Sequence, residues 1–575
     1  MATSTIPNSG LGVFTTAALE EGDVIGLGDV MNPWIDLPWH QILLMEDHPF
    51  KNHVWQGYDT SFSVELSAYQ DVLWMGSGLE ATINCHLALV NTYSATIYNN
   101  NNNPQHHRSR DPGAGSFSPF VAGATVVANP VPEGGELFKM YSSQWFRTRQ
   151  DEFGVEIPLP EDYVQADTLI QKFGKLFPQA HHTLQTIHKD LWDVMTSMPY
   201  PITKALPKRH KDIPLVIQHG IWEAYLMDAK RPPEELERTG RCLENIRHGP
   251  SMLPQAGRGA FATRHLAAGT VITGSPLVYV ENRHIFHMYQ EIYDALMNEQ
   301  QPQSHDIIES TLQHPETVRT LQIAINYCWN HPSSPMLLCP YGAGVNFVNH
   351  NQTMANVKVR WAPHGEVGHD ASLLKGPLSD VHNPTLAFDF VALRDIDVGE
   401  ELFLDYGKEW EMAWQEHVQA FGPPKSTGGG VDPYQSAWQW NQENENSDTA
   451  IRTDYEQKAN PYPINLQLRC HQDLRNDWEV TNAVGELRNY SWTMYDKGTP
   501  CQVLDRYSIH QTEQPVYTVG VDRHGPSCVQ VENVPRSALR FFDVPYSTDL
   551  HLPGAFRHAI GIPDELFPLA WKAAT

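Results

Sequence analysis

The chain has 575 residues, 41% apolar and 19% charged, with 39 glycines and 42 prolines; at roughly 150 residues per domain it can form three or four domains with buried cores, and wholesale disorder is excluded. Forty Lys/Arg against 67 Asp/Glu leave a net charge of −27, which repels phosphate backbones, attracts cationic partners and argues against nucleic-acid binding by the chain as a whole. The seven cysteines form no CxxC or CxC pair and the 28 histidines no HExxH pair, so no metal site, zinc module or disulfide framework is expected, and the reading is a reducing compartment.

No Lys or Arg precedes Lys51, which removes the basic start of a secretory signal, and no stretch of about 18 uncharged apolar residues offers a spanning helix. The expectation is an intracellular protein, nuclear or cytoplasmic, with no membrane contact.

The first legible element is Gly10-Leu11-Gly12-Val13-Phe14-Thr15-Thr16, followed by Leu19, Gly22, Val24 and Ile25: two short strands around a glycine turn. Asn84-Cys85-His86 comes next, then Asn99 to Asn103 with His106-His107, a solvated loop. Gly134-Gly135-Glu136-Leu137-Phe138-Lys139-Met140-Tyr141 closes this part, with Trp145 four residues on.

Residues 161–247 read as helical, with Leu184, Ile187, Leu191 and Val194 on one core-facing stripe. The basic cluster Lys204, Lys208, Arg209 and Lys211 reads as a solvated loop.

The opening pattern then returns. Gly257-Arg258-Gly259-Ala260-Phe261-Ala262-Thr263, with Leu266, Gly269, Val271 and Ile272, repeats the glycine turn at an offset of 247. Val318, Leu321, Ile325 and Cys328 have helical spacing, which makes Cys328 a core residue. Asn349-His350-Asn351 and Gly399-Glu400-Glu401-Leu402-Phe403-Leu404-Asp405-Tyr406, with Trp410, repeat the earlier segments at an offset of 265. Two copies of one fold, the second carrying an insertion, explain both offsets.

Pro423-Pro424, Gly428 to Gly430 and a Gln/Asn/Glu stretch to about Asp448 have linker composition. From about residue 455 short strands such as Val516-Tyr517-Thr518-Val519-Gly520-Val521 and Val529-Gln530-Val531 predict a small β-rich domain.

Chemically, the glycines around Arg258 let backbone approach a ligand closely. Asn349 and His350 supply donors and acceptors suited to a heteroaromatic edge. The Tyr406 hydroxyl, at the end of an apolar strand, can position a nucleophile.

In order and content these three segments resemble the SET-domain protein lysine methyltransferases, whose hallmarks are a GxG turn, an NHxxxxN-type segment and a GEELxxDY ending. The resemblance implies an α+β, β-dominated fold: tandem SET units, each a β-clip with a pseudoknot, joined by a helical segment and followed by the β-rich C-terminal domain. The boundaries expected are 1–150 for a divergent SET-like copy, 151–245 for the helical connection, 246–420 for the SET domain, 421–454 for the linker and 455–575 for the last domain. The C-terminal tail resembles those attached to SET domains in diatom-type algal proteins.

The resemblance also implies S-adenosyl-L-methionine as cofactor and a lysine-containing protein as substrate, histone or otherwise. Arg258 and Gly259 would lie along the methionyl part, Asn349 and His350 would hold the adenine, and Tyr406 would orient the lysine amine. Tyr341 and Phe403 are candidates for the substrate channel. Departures from the family are Leu404, where Tyr is frequent, an Asn-to-Asn segment one residue longer, and no cysteine-rich flanking cluster. The helix around Trp410 and Trp414 is therefore expected to close the site. In the first copy Cys85 and Met140 replace the residues matching His350 and Asp405, which reads as a degenerate copy. The competing reading is a catalytically inactive tandem SET scaffold that binds a protein partner.

Overall fold

The computed structural model describes residues 1–26, 28–34, 50, 54–56, 73–95, 108–118, 124–149, 157–176, 182–207, 209–289, 318–378, 385–422, 434–444, 450–471, 498–508, 515–521, 529–544 and 547–572. The asparagine run 99–103, His106-His107 and most of the linker stretch lie outside the described residues. Helix and strand take similar shares, about 30% and 29%, so the fold is mixed α+β, with six described helices between Pro160 and Thr239 beside the sheets.

Two sheets position the site. The first, of four strands, runs in the order β6 (Asn349–His350), β9 (Glu401–Leu404), β2 (Arg258–Ala262) and β1 (Ile246–Pro250). The second, of six, runs β7 (Val357–Trp361), β8 (Leu386–Ala392), β3 (Val271–Val280), β5 (Leu337–Pro340), β4 (Trp329–Asn330) and β10 (Ile560–Gly561). Strand β8 reads LAFDFVA and is buried on both faces, as a near-continuous apolar run should be. Its Phe388 and Phe390 pack with Trp329, Leu402, Leu404, Ile560, Ile562 and Trp571 in one core. The last stretch of chain thus contributes to the same core as the glycine turn.

A five-stranded sheet over Leu466–Asp543 forms a separate core, under which the helix Ala437–Asn444 tucks Trp440. Around the N-terminal glycine turn, Ala2–Thr3 pairs with Leu11–Gly12, and Val24–Ile25 with Ala124–Val127.

Three expectations are corrected. Val318–Leu321 is a strand and Ile323–Tyr327 a 3-10 turn: the spacing does not give a helix there, and Asn326 turns its amide to Ser116 O and Phe556 O. In the helix His182–Ser197 the predicted stripe fails at Leu191 and Val194, which are 41% and 54% exposed, while Trp192, 1% exposed, anchors the helix; the side chains of Leu184 and Ile187 lie outside the description. Finally, Cys328 is disulfide-bonded to Cys339 and Cys470 to Cys501. Neither spacing resembles a known framework; sheet register brings the partners together, since Trp329 beside Cys328 pairs with Leu338 beside Cys339. The reducing-compartment reading loses its basis. Among the described residues no helix is long and apolar enough to cross a membrane.

Candidate active site

The site begins at Gly257, whose φ of 69° is in the left-handed region that favours glycine. It turns the chain into β2 so that Arg258 faces a cavity. Gly259 has a different reason to be glycine: a Cβ there would overlap the Glu401 carboxylate. That carboxylate is fully buried and accepts from Ser251 Oγ and the Met252 amide, each at 2.7 Å.

Asn349 and His350 pair parallel with Phe403 and Leu404. The chain then continues past β9, with the Asn351 amide donating to Leu404 O and the Asn356 amide to Phe403 O. The Asn356 side chain returns to β9, donating to Glu401 O and accepting from the Phe403 amide. Segment 349–356 thereby clasps β9, and Asn349 Nδ2 reaches Arg258 O at 2.8 Å.

Every polar atom of Tyr406 is engaged. Its amide donates to His350 Nδ1 at 3.0 Å, its hydroxyl donates to Val348 O, and its carbonyl accepts from the Gly561 amide at 2.8 Å. Burial, with Tyr327 alongside, raises the phenol pKa above its ordinary range, so Tyr406 is a neutral donor and not a base. On the other side of its ring His350 Nε2 donates to Glu411, which with the Tyr406 contact fixes the imidazole tautomer. Burial disfavours the Glu411 anion, but hydrogen bonds from His350 and Gln415 outweigh it and hold its pKa below the usual carboxylate range.

A cavity of about 470 Å³ opens beneath these groups, bounded among others by Arg258, Asn349, His350, Tyr406 and Trp410. Trp410 stands edge-on to Tyr406, 5.0 Å between ring centres, and Phe556 stands edge-on to both Trp410 and Trp414. The tryptophan helix borders the cavity through Trp410 and Trp414, together with Phe556 from the C-terminal stretch and Val30 and Ser116–Ser118 from the N-terminal half. A second cleft of about 850 Å³ lies on the far side. Tyr406 and Trp410 border both.

Both Arg258 Nη atoms are buried in the first cavity without a hydrogen-bond partner, and burial pulls the guanidinium pKa down to about 10. It stays charged at neutral pH. An unpaired buried cation is costly unless an anionic ligand group meets it.

Two sequence candidates are not at the site. Tyr341 packs against the Val278, Val280 and Phe286 cluster and Phe403 is enclosed at the β9 crossing; neither borders either of these two cavities. Gly259 serves from behind, by admitting Glu401. Sequence reasoning missed Tyr327, whose buried hydroxyl accepts from the Ser118 amide at 2.8 Å inside the cavity wall. It also missed Phe556. Glu401 stood in both repeats and was the available signal.

The first repeat shows the same contacts at its own offsets. Asn84 pairs parallel with Phe138, Glu136 accepts from Ser4 and the Thr5 amide, and Tyr141 donates to Ile83 O. His86, at the position matching Asn351, packs among Phe138, Tyr163 and Tyr225. Burial raises the Cys85 thiol pKa to about 11.

Residues 257–407 match the family model of the SET domain. Among solved structures, a Plasmodium falciparum protein assigned as a histone methyltransferase is 16% identical, covering 30% of this chain and 99% of its own, with a TM-score of 0.16. A Chaetomium thermophilum polycomb repressive complex 2 chain is 17% identical over 32% of this chain and 18% of its own, TM-score 0.18. A polycomb repressive complex 2 chain in an autoinhibited conformation bound to S-adenosylmethionine is 16% identical, covering 36% and 20%, TM-score 0.18. This chain thus spans about a fifth of the polycomb chains. No curated protein matches it.

Proposed function

From the premise that residues 257–407 form a SET domain, we propose that the protein is an S-adenosylmethionine-dependent protein lysine N-methyltransferase acting through this second repeat. The observation that carries the reading is convergence: Arg258, Asn349, His350 and Tyr406, from three separate stretches of sequence, border one cavity of about 470 Å³. That volume suits a nucleoside joined to an amino acid. The unpartnered Arg258 guanidinium fits a carboxylate there.

When bound, the cofactor supplies an electrophilic methyl group on a sulfonium. The chain's residues do the rest. Gly257 keeps the entry to β2 free of side-chain bulk, Asn349 and His350 present fixed polar edges, and Trp410 excludes water from one side. A lysine amine, with a reference pKa of about 10.4, must arrive neutral. We assign its approach to the second cleft, since Tyr406 borders both. The neutral phenol holds the amine lone pair in line, where alignment lowers the barrier more than proton abstraction by Tyr406 could.

In this reading the chain divides as expected from the sequence except at its end, where Ile560, Ile562, Phe567 and Trp571 join the core of the second repeat and not that of the β-rich domain. Its N-terminal repeat is a divergent copy that keeps the frame but packs Tyr163 and Tyr225 on His86. Titration with S-adenosylmethionine under thermal melting tests the proposal, followed by transfer of labelled methyl to a lysine peptide array. Saturating cofactor should raise the melting temperature. An unchanged melt with no labelled peptide leaves the inactive scaffold as the reading.

A further inference from the structure

Tyr406 is held at three atoms, two by its own motif partners Val348 and His350 and one by Gly561, far downstream. Gly561 belongs to a strap, Phe556–Pro563, pinned at successive points. Asn326 Nδ2 donates to Phe556 O, and the His558 amide to Asn326 Oδ1. The Ile560 and Ile562 amides donate to Cys328 O and Asn330 O, 2.8 and 2.7 Å. The Arg557 guanidinium, part-buried, donates to Leu321 O, Gly115 O, Phe556 O and Leu550 O. Ile560 and Ile562 enter the core beside Trp329 and Leu404. The strap therefore runs between the two tyrosines of the cavity, bonding to backbone next to Tyr327 and to Tyr406 itself. Phe556 borders the first cavity and Gly561 through Leu566 the second.

We infer that this C-terminal strap positions Tyr406 for the transfer, with Gly561 as the positioning residue; this rests on the methyltransferase reading above. Gly561 N–H fixes the Tyr406 carbonyl. A Cβ at residue 561 would stand 3.0 Å from that same oxygen and close to Gly407 Cα, so any side chain there displaces the tyrosine backbone by a few tenths of an ångström. Transfer geometry is steep in such displacements. Cofactor contacts on β2 and β6 do not depend on residue 561.

The test uses full-length protein, labelled S-adenosylmethionine and the best peptide from a lysine array. Gly561→Ala should lower kcat about tenfold per cofactor-binding site, with peptide KM and cofactor Kd within about twofold; counting sites by the stoichiometry of cofactor binding keeps any loss of folded protein out of kcat. Gly554→Ala, in the same stretch but with open space around it, should match the parent. Arg557→Lys, which loses the fork to four carbonyls, should show the same split if Gly561→Ala does not fold. Unchanged kcat in the folded variants overturns the inference. Amide exchange on the unmodified protein checks it without any turnover: residues 556–563 and 401–407 should exchange as one unit, and a strap that exchanges a hundredfold faster overturns it. A parent protein with no transfer and no cofactor binding sinks the enzymatic reading instead, while the exchange result still judges the strap.

Discussion

Glu136 and Glu401 occupy the same position in two networks. Each carboxylate is buried and lies where the Cβ of a glycine, Gly12 or Gly259, would otherwise be. Each accepts from a serine, Ser4 or Ser251, from the next backbone amide, and from an asparagine, Asn84 or Asn349. The glutamate replaces a missing side chain and ties three strands to one point.

Removing it leaves those donors buried and unpaired. Glu401→Ala should destabilise the fold by about 3 kcal/mol, and Glu136→Ala by a similar amount. Denaturant melts measure both. Only the Glu401 change should also weaken S-adenosylmethionine, because only it frees the β2 edge beside Arg258.

Tyr406→Phe deletes the hydroxyl bonded to Val348 O. Methyl transfer should fall by about a hundredfold while cofactor affinity stays within a few fold, read by single-turnover assay and calorimetry. Undiminished transfer would remove Tyr406 from the chemistry.

Arg258→Met should act with opposite signs on stability and binding. The unliganded protein should melt higher, since replacing an unpaired buried charge by an apolar chain of similar length is worth about 1–3 kcal/mol. Cofactor affinity should drop more than tenfold. A variant that binds as well as the parent would deny the guanidinium its ligand.

Asp29 carries a pH dependence. Burial, with Glu80 beside it, raises its pKa from the ordinary range to about 7, against the opposing hydrogen bonds from the Glu80 and Leu79 amides. The folded state therefore binds a proton that the unfolded chain releases near pH 4. Its contribution to stability falls as pH rises from about 4 to 7 and is level above. Asp29→Asn should melt like the parent near pH 4 and several degrees higher at pH 8. Equal melts at pH 8 would show the side chain is not so enclosed.

The glycine turns, Asn349-His350 and Asp405-Tyr406 were legible because each depends on local backbone demands repeated at two offsets. Gly259 was readable as glycine, but its reason lay in Glu401, across a strand pair. The Leu191 and Val194 stripe failed because periodicity gives a helix face without saying which neighbour covers it, and Trp192 lies about 100° around. Tyr341 and Phe403 were chosen as aromatics near the motif, where only the sheet register decides which way a ring points. Tyr327, Phe556 and Arg557 serve the site through contacts between distant stretches, for which no spacing exists. The two disulfides had the same character.

The strap also sets an order in time. A ribosome delivers Tyr406 long before Gly561, so a growing chain carries the glycine-turn and asparagine segments before the amide that holds the Tyr406 carbonyl has been made.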